Sequence, residues 1–512
     1  MRLTHPERRL VDCASTKALL DLSKPGQDDP AKGDTWAAQR TIRAQVLVAL
    51  LTGQALPGSQ PLRRRPKRAH WIRLRGVRIA GVLDLEAAEL TCPLFLDRCH
   101  FAQPVNLTEA TARSIHLPGC HVPKLIAGRL RLTGDLKLTS NFTAHSGGVL
   151  LTGAHISGNL DLSGAVLDRG DVAPAAVHDV FALNAKDLRV TGGMACGNGF
   201  RAEGGIRLVH AEIGGRLTLN GAVLVNEGGR AISGWGLIVG EDMQCGGEFK
   251  AVGRVRLNAA RIAGHLAFGS RAAVTGEKNG RVLDLGAVQT GQLTVKLAGF
   301  PTGKINLTRA RTGTFTYSEA AWPATALLRG FVYDTFLDGQ DNDVPVRAAL
   351  RWLRTNEAGY TPGIYDQLAA AYHRTGREEA ARRVMIAKHW ARSRVLNPVA
   401  RLASWLLLML VGYGYRTWLA ALWILAFLVL GQFVFPGSQL IPVSGTPAVQ
   451  YHRLAYSLDV LMPPLVDLGQ EKAFRPRPAT PALYWFWGFI TAGWVLTTAV
   501  IAGLTAALRR TP

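Results

Sequence analysis

An eleven-residue unit, A-x-I-x-G-x-L-x-L-x-x, recurs through residues 72–318 and limits what this chain can fold into. Its clearest copies are Ala154-His-Ile156-Ser-Gly158-Asn-Leu160-Asp-Leu162, Ala211-Glu-Ile213-Gly-Gly215-Arg-Leu217-Thr-Leu219 and Ala260-Arg-Ile262-Ala-Gly264-His-Leu266-Ala-Phe268. Ile126-Ala-Gly128-Arg-Leu130-Arg-Leu132 reads as a further copy, weaker ones centre on Gly81, Gly192, Gly291 and Gly313, and Glu241 takes the Gly place once. Even spacing within the unit puts its apolar residues on one face of an extended strand. The step from Leu162 to Ala165 is odd, so the chain must turn a corner there or the alternation would invert. The central Gly offers a second bend without a Cβ penalty. Successive key positions between Gly158 and Gly313 lie 22 to 34 residues apart, about two units. A period of that size marks a solenoid whose coils bury one continuous core. The expected fold is therefore a parallel β-helix of eleven-residue semi-repeats, two per coil. It would have roughly ten coils and be about 50 Å long at about 4.8 Å per coil.

A solenoid needs its open sheet ends covered. Trp36 to Leu51 carries Trp36, Ala37, Ile42, Val46 and Leu50 at helical spacing, which predicts an N-terminal helical cap. Ala320 to Arg394 reads as helical, and Tyr365, Leu368, Ala369, Tyr372, Gly376, Ala381 and Met385 follow the pattern of one tetratricopeptide hairpin. One hairpin makes a cap and a bridge, not a peptide groove.

The C-terminal hundred residues differ in kind. Ala482 to Leu508 holds no charged residue and places Tyr484, Trp485 and Trp487 where an aromatic belt belongs. Trp418 to Phe435 is a second apolar run. Two transmembrane spans, 418–435 and 482–508, are expected, with Leu402–Tyr415 lying in the interface. Between them, Tyr456 to Gln470 mixes apolar residues with Asp459, Pro463, Pro464 and Asp467. It is too polar to span and too apolar for a free loop, which predicts a re-entrant or interfacial segment. Basic residues before the first span and Arg509 and Arg510 after the second favour cytoplasmic termini. Residues 1–20 lack the apolar core of a secretory signal, in keeping with that placement. The expected organisation is a helical cap and basic linker (1–70), the solenoid (71–318), a helical linker (319–397) and a membrane region (398–512).

Together these features resemble a family of bacterial, mainly actinobacterial, proteins labelled "membrane-associated oxidoreductase". The resemblance is carried by Ile42-Arg-Ala-Gln-Val-Leu, Leu74-Arg-Gly-Val-Arg-Ile-Ala-Gly-Val-Leu-Asp-Leu, Tyr365-Asp-Gln-Leu-Ala-Ala-Ala-Tyr, Gly412-Tyr-Gly-Tyr-Arg-Thr-Trp and Tyr456-Ser-Leu-Asp-Val-Leu-Met-Pro. The repeat region is distantly similar to pentapeptide-repeat proteins. The label implies a redox enzyme, but it brings no catalytic residues to place on this chain.

The residues supply no redox site of their own. No G-x-G-x-x-G opens a helix after a strand, and Gly299-Phe-Pro-Thr-Gly303-Lys304 is one residue short of a P-loop. No catalytic residue and no cofactor are expected. Cys99-His100 and Cys120-His121 lie about one coil apart and are the candidate metal ligands, the residue types of a Cys2His2 site. Each Cys takes the inward place that Ala holds in the unit, so its His neighbour faces outward and the four groups do not converge.

With 59 Lys and Arg against 37 Asp and Glu, the net charge of +22 calls for an anionic partner. Arg63, Arg64, Arg65, Lys67 and Arg68 form the densest positive run. No aromatic platform accompanies it, which disfavours nucleic acid. These residues, with Arg416, Arg509 and Arg510, are expected to contact anionic lipid headgroups. The leading expectation is a membrane-anchored cytoplasmic scaffold with a protein partner. A membrane-associated oxidoreductase and an oligomeric pore, assembled as a homo-oligomer through the membrane helices, are the alternatives.

Overall fold

Alternation within the repeat sets the cross-section of the solenoid. In the computed structural model, Ala154, Ile156, Leu160, Leu162 and Ala165 are all fully buried, while His155 and Asp161 point away from the core. The structure describes residues 3–54, 71–170, 181–276, 280–298, 303–319, 322–394, 418–443, 450–462, 467–478 and 480–508. They form two compact units, 1–376 and 377–512.

The first unit is a parallel β-solenoid of about 11 turns. One coil contains Arg131–Leu132, Leu136–Lys137, Thr143–Ala144 and Val149–Leu150. These pair in parallel with His155–Ile156, Leu160–Asp161, Val166–Asp168 and Leu183–Asn184 of the next coil. Four ladders of short strands result, gathered into two 19-stranded sheets. The odd step at Leu162–Ala165 is a turn in which Gly164 has φ +71°. The other bend is a stack of glycines. A Cβ on Gly158 would fall inside contact distance of Gly134 and of the Asp135 carboxylate in the coil before it, so only a bare backbone lets these corners stack.

The register corrects one repeat copy. Arg131 and Leu132 align with His155 and Ile156, so Leu130 and Leu132 take the Ala and Ile places and Gly134 takes the Gly place. Gly128 therefore belongs to the preceding turn, and Ile126 faces outward.

Both ends differ from expectation. The predicted helix Trp36–Leu51 is helical only as α2, Ala44–Thr52. Before it, Thr41–Arg43 is a strand paired with Arg78–Ala80, because its β-branched residues extend the sheet where a free edge is open. Ahead of that strand lies α1, His5–Thr16, and Leu20–Asp21 pairs with Leu74 and Arg75. Val46, Leu47, Leu50 and Leu51 of α2 are buried over the first coil. At the other end the strands pass residue 318. Ala326–Leu327 and Val332–Leu337 add another coil where a helix was expected. Its interior is aromatic, with Phe315 stacked on Phe336 at 5.4 Å and Trp352 of α3, Val346–Leu353, 4.9 Å from Phe336. Gln367 and Arg374 of α4, Pro362–Arg374, donate to the Tyr333 carbonyl and so occupy the last sheet edge.

The second unit contains α5 (Glu378–Ser393), α6 (Trp418–Val434), α7 (Arg453–Leu461), α8 (Gln470–Ala473) and α9 (Pro481–Leu508). Leu440–Pro442 and Phe474–Pro476 pair antiparallel. The second helix of the expected tetratricopeptide-like hairpin is α5, so the pattern straddles the boundary between the units. Helix α7 packs on both α6 and α9. Gly431 admits Ser457, Gly493 admits the Leu461 carbonyl, and Phe435, Tyr456 and Phe489 form the buried centre. Among the described residues no helix is long and apolar enough to cross a membrane. Helix α6 has 17 residues, and in α9 the side chains of 499, 500 and 502–508 lie outside the described set.

Candidate functional site

The cysteine and histidine pairs sit on opposite sides of their strands. Cys99 and Cys120 are buried in the core, where the Cys120 thiol donates to the Leu96 carbonyl at 3.1 Å. Burial, with Cys99 beside it, pushes that thiol well above its usual range. His100 and His121 face outward in register with each other. His100 is covered by the segment Pro30–Thr35, with Nδ1 2.8 Å from the Pro30 carbonyl oxygen and Nε2 3.2 Å from Asp34. The Asp34 carboxyl is held below its usual range first by His100 and then by Arg78. Among the described residues no group of three or more His, Cys, Asp or Glu is placed to hold a metal ion.

These imidazoles instead form a stack. His100 and His121 lie 5.6 Å apart, and His121 and His145 lie 4.3 Å apart with planes 9° from parallel. Burial, followed by the charges that His145 and His100 would carry, lowers the His121 pKa to about 4. Its Nδ1 lies 2.5 Å from the Thr143 hydroxyl. His145 was missed in the sequence, although 100, 121 and 145 are spaced one coil apart. The stack lies along the outward face of the early coils.

Arg63, Arg64, Arg65, Lys67, Arg68, Arg416, Arg509 and Arg510 lie outside the described residues, as do Pro463 and Pro464. Asp459 is buried and holds a turn together. Its Oδ1 accepts the Leu468 N–H at 2.8 Å and its Oδ2 the Glu471 N–H at 3.0 Å. Asp467 is exposed and pairs with Lys472 at 2.5 Å.

Two of the open concavities on the solenoid surface lie beside outward charged side chains. One, of about 530 Å³, is lined by His145, Asp168, Arg169, Glu203 and Asn226. The other, of about 550 Å³, is a trough along one face from Ile238 to Val332, with Arg261, Arg311 and Asp334 as its ionisable residues. Gly240, Ala263, Gly291 and Gly313 form its floor. Sequence reading missed this trough. Its signal is the position after Ala in each unit, which becomes a stacked outer row once the coils are in register.

No family model, no curated protein and no solved structure shows significant similarity to this chain. Function must therefore be argued from the coil geometry and the surface chemistry.

Proposed function

We propose that the chain is a membrane-anchored scaffold whose solenoid presents a rigid cytoplasmic surface to a protein partner. One observation carries the anchoring. The second unit leaves large apolar side chains bare, with Leu425 61% and Phe433 79% exposed on α6 and Trp485, Trp487, Trp494 and Ile501 exposed on α9. Contiguous apolar surface of this kind in water is an aggregation liability, and acyl chains would cover it. At 1.5 Å per residue α9 reaches about 42 Å and α6 about 26 Å, against a hydrocarbon core of about 30 Å. The basic residues that flank the two helices in sequence, Arg392 and Arg394 ahead of α6 and Arg509 and Arg510 after α9, fit anionic headgroups on the cytoplasmic side.

The scaffold reading is supported by the repeats. A stack of about 11 turns of short strands buries an apolar core and devotes its outward residues to surface. The oxidoreductase label of the resembling family would require a bound flavin, haem or nicotinamide, and stoichiometric chromophore absorbance in detergent-purified protein would replace the scaffold reading. Anchoring is tested by floating the protein with vesicles containing anionic lipid and by labelling with an impermeant thiol reagent. Lys472→Cys, at an exposed position, should react from outside intact cells and Thr511→Cys should not. The reverse pattern would overturn the orientation, and failure to float would overturn the anchor.

A further inference from the structure

The trough from Ile238 to Val332 has features of a docking surface. Ile238, Arg261, Gln289, Arg311 and Val332 stand in one row on successive coils, each paired in register with the next. All five are exposed, Ile238 and Val332 by 42% and 39%. Beside the row run the small residues of the floor, so the row forms one wall of a groove along the solenoid axis.

Two cations line this stretch. Some arginines elsewhere on the solenoid are matched to carboxylates, among them Arg75 to Asp97, Arg129 to Glu109, Arg189 to Glu212 and Arg201 to Glu203. Arg261 and Arg311 have no carboxylate partner among the described residues. They point into the same groove two coils apart, about 10 Å at about 4.8 Å per coil.

We propose that this trough binds an extended acidic segment of a protein partner, which gives the scaffold reading its recognition surface and rests on that reading. The dimensions define the segment. Four coil steps span about 19 Å, which an extended chain covers in about six residues at about 3.3 Å each. Carboxylates two residues apart share one face of the segment at about 7 Å, within reach of the long Arg261 and Arg311 side chains, and apolar residues two positions further out on that face meet Ile238 and Val332. A bare glycine and alanine floor lets the peptide backbone approach closely. Nucleic acid fits worse. No aromatic side chain stands in the row to stack a base.

The test uses the full chain in detergent micelles and fluorescence anisotropy. The probe is a fluorescein-labelled heptapeptide with aspartates at positions 3 and 5 between terminal valines, so that all four side chains share one face. It should bind, and Arg261→Glu with Arg311→Glu should weaken it by about tenfold or more, while Arg131→Glu, on the same ladder but beyond the trough, leaves it unchanged. Replacing both valines by serine should also weaken binding. Far-UV circular dichroism checks that the variants, all at exposed positions, keep the solenoid. Absence of peptide binding, equal loss in Arg131→Glu, or tighter binding of a labelled single-stranded DNA 20-mer that depends on Arg261 and Arg311 would each overturn the proposal. Protein that still floats with vesicles but ignores the peptide would fail this inference and leave the anchor standing.

Discussion

Glu7 on α1 should act as a clasp that holds the N-terminal cap to the first coil. Its side chain is fully buried. Oε1 accepts the Arg43 Nε–H at 2.7 Å and the Arg43 backbone N–H at 3.2 Å. Oε2 accepts the Arg43 Nη2–H at 2.6 Å and the Thr4 N–H at 2.8 Å. Burial alone would raise this carboxyl, but these bonds and the guanidinium charge together lower its pKa from 4.5 to about 2. A folded pKa below the unfolded one favours folding when the group is ionised. The stabilisation is therefore complete above the unfolded pKa of 4.5 and is lost as pH falls from there through about 2. At about 1.4 kcal/mol per pH unit it amounts to about 3 kcal/mol at neutral pH.

The opening that this clasp resists is local, because a repeat array need not unfold in one step. Hydrogen exchange is the appropriate assay. Glu7→Gln should lower the protection of amides in His5–Thr16 and Thr41–Arg43 by about two orders of magnitude at pH 7, and mid-solenoid strands should keep theirs. In the wild type, protection of the same amides, corrected for intrinsic exchange, should decline between about pH 5 and pH 2. Unchanged protection in Glu7→Gln, or a flat acid profile in the wild type, would refute the reasoning.

Two further outcomes test the solenoid itself. Leu217→Asp puts a carboxylate at a fully buried core position and should cost several kcal/mol, whereas Thr218→Asp, on the outward side, should cost almost nothing; equal shifts in denaturant midpoint would sink the inward and outward assignment. Gly158→Ala forces a Cβ into the stacked corner and should destabilise by about 1–3 kcal/mol, while Gly363→Ala on α4, with open space around it, should be neutral or stabilising by up to about 1 kcal/mol.

What was legible in the sequence follows from where the information lies. Inward residues obey a strict parity, so Ala154, Ile156, Leu160 and Leu162 announced both the strands and the turn near Gly164. The copy at Ile126–Leu132 misled because Gly128 and Gly134 both precede x-Leu, and only the alignment of Leu132 with Ile156 in the next coil separates them. The ends were misread for a related reason. Ile42, Val46 and Leu50 fit a helix by spacing, but Thr41–Arg43 lies beside an open sheet edge, and the hydrogen bonds gained there outweigh local helical preference. At the far end the core changes from Leu to Phe, Tyr and Trp, so the repeat loses its signature while its strands continue to Leu337.

Surface features depend on register in a stronger sense. Arg261 and Arg311 are 50 positions apart in the sequence, and Ile238 and Val332 are 94 apart. They become neighbours in one row only because each coil between them has the length it has. A single residue inserted in the turn after Phe268 would leave every core residue free to stay inward if the turn absorbed it. The same insertion placed within Arg261–Phe268 would rotate the outer row by one position and bring Arg261 out of line with Arg311. Core parity therefore fixes the fold, and coil length fixes which side chains meet on its surface.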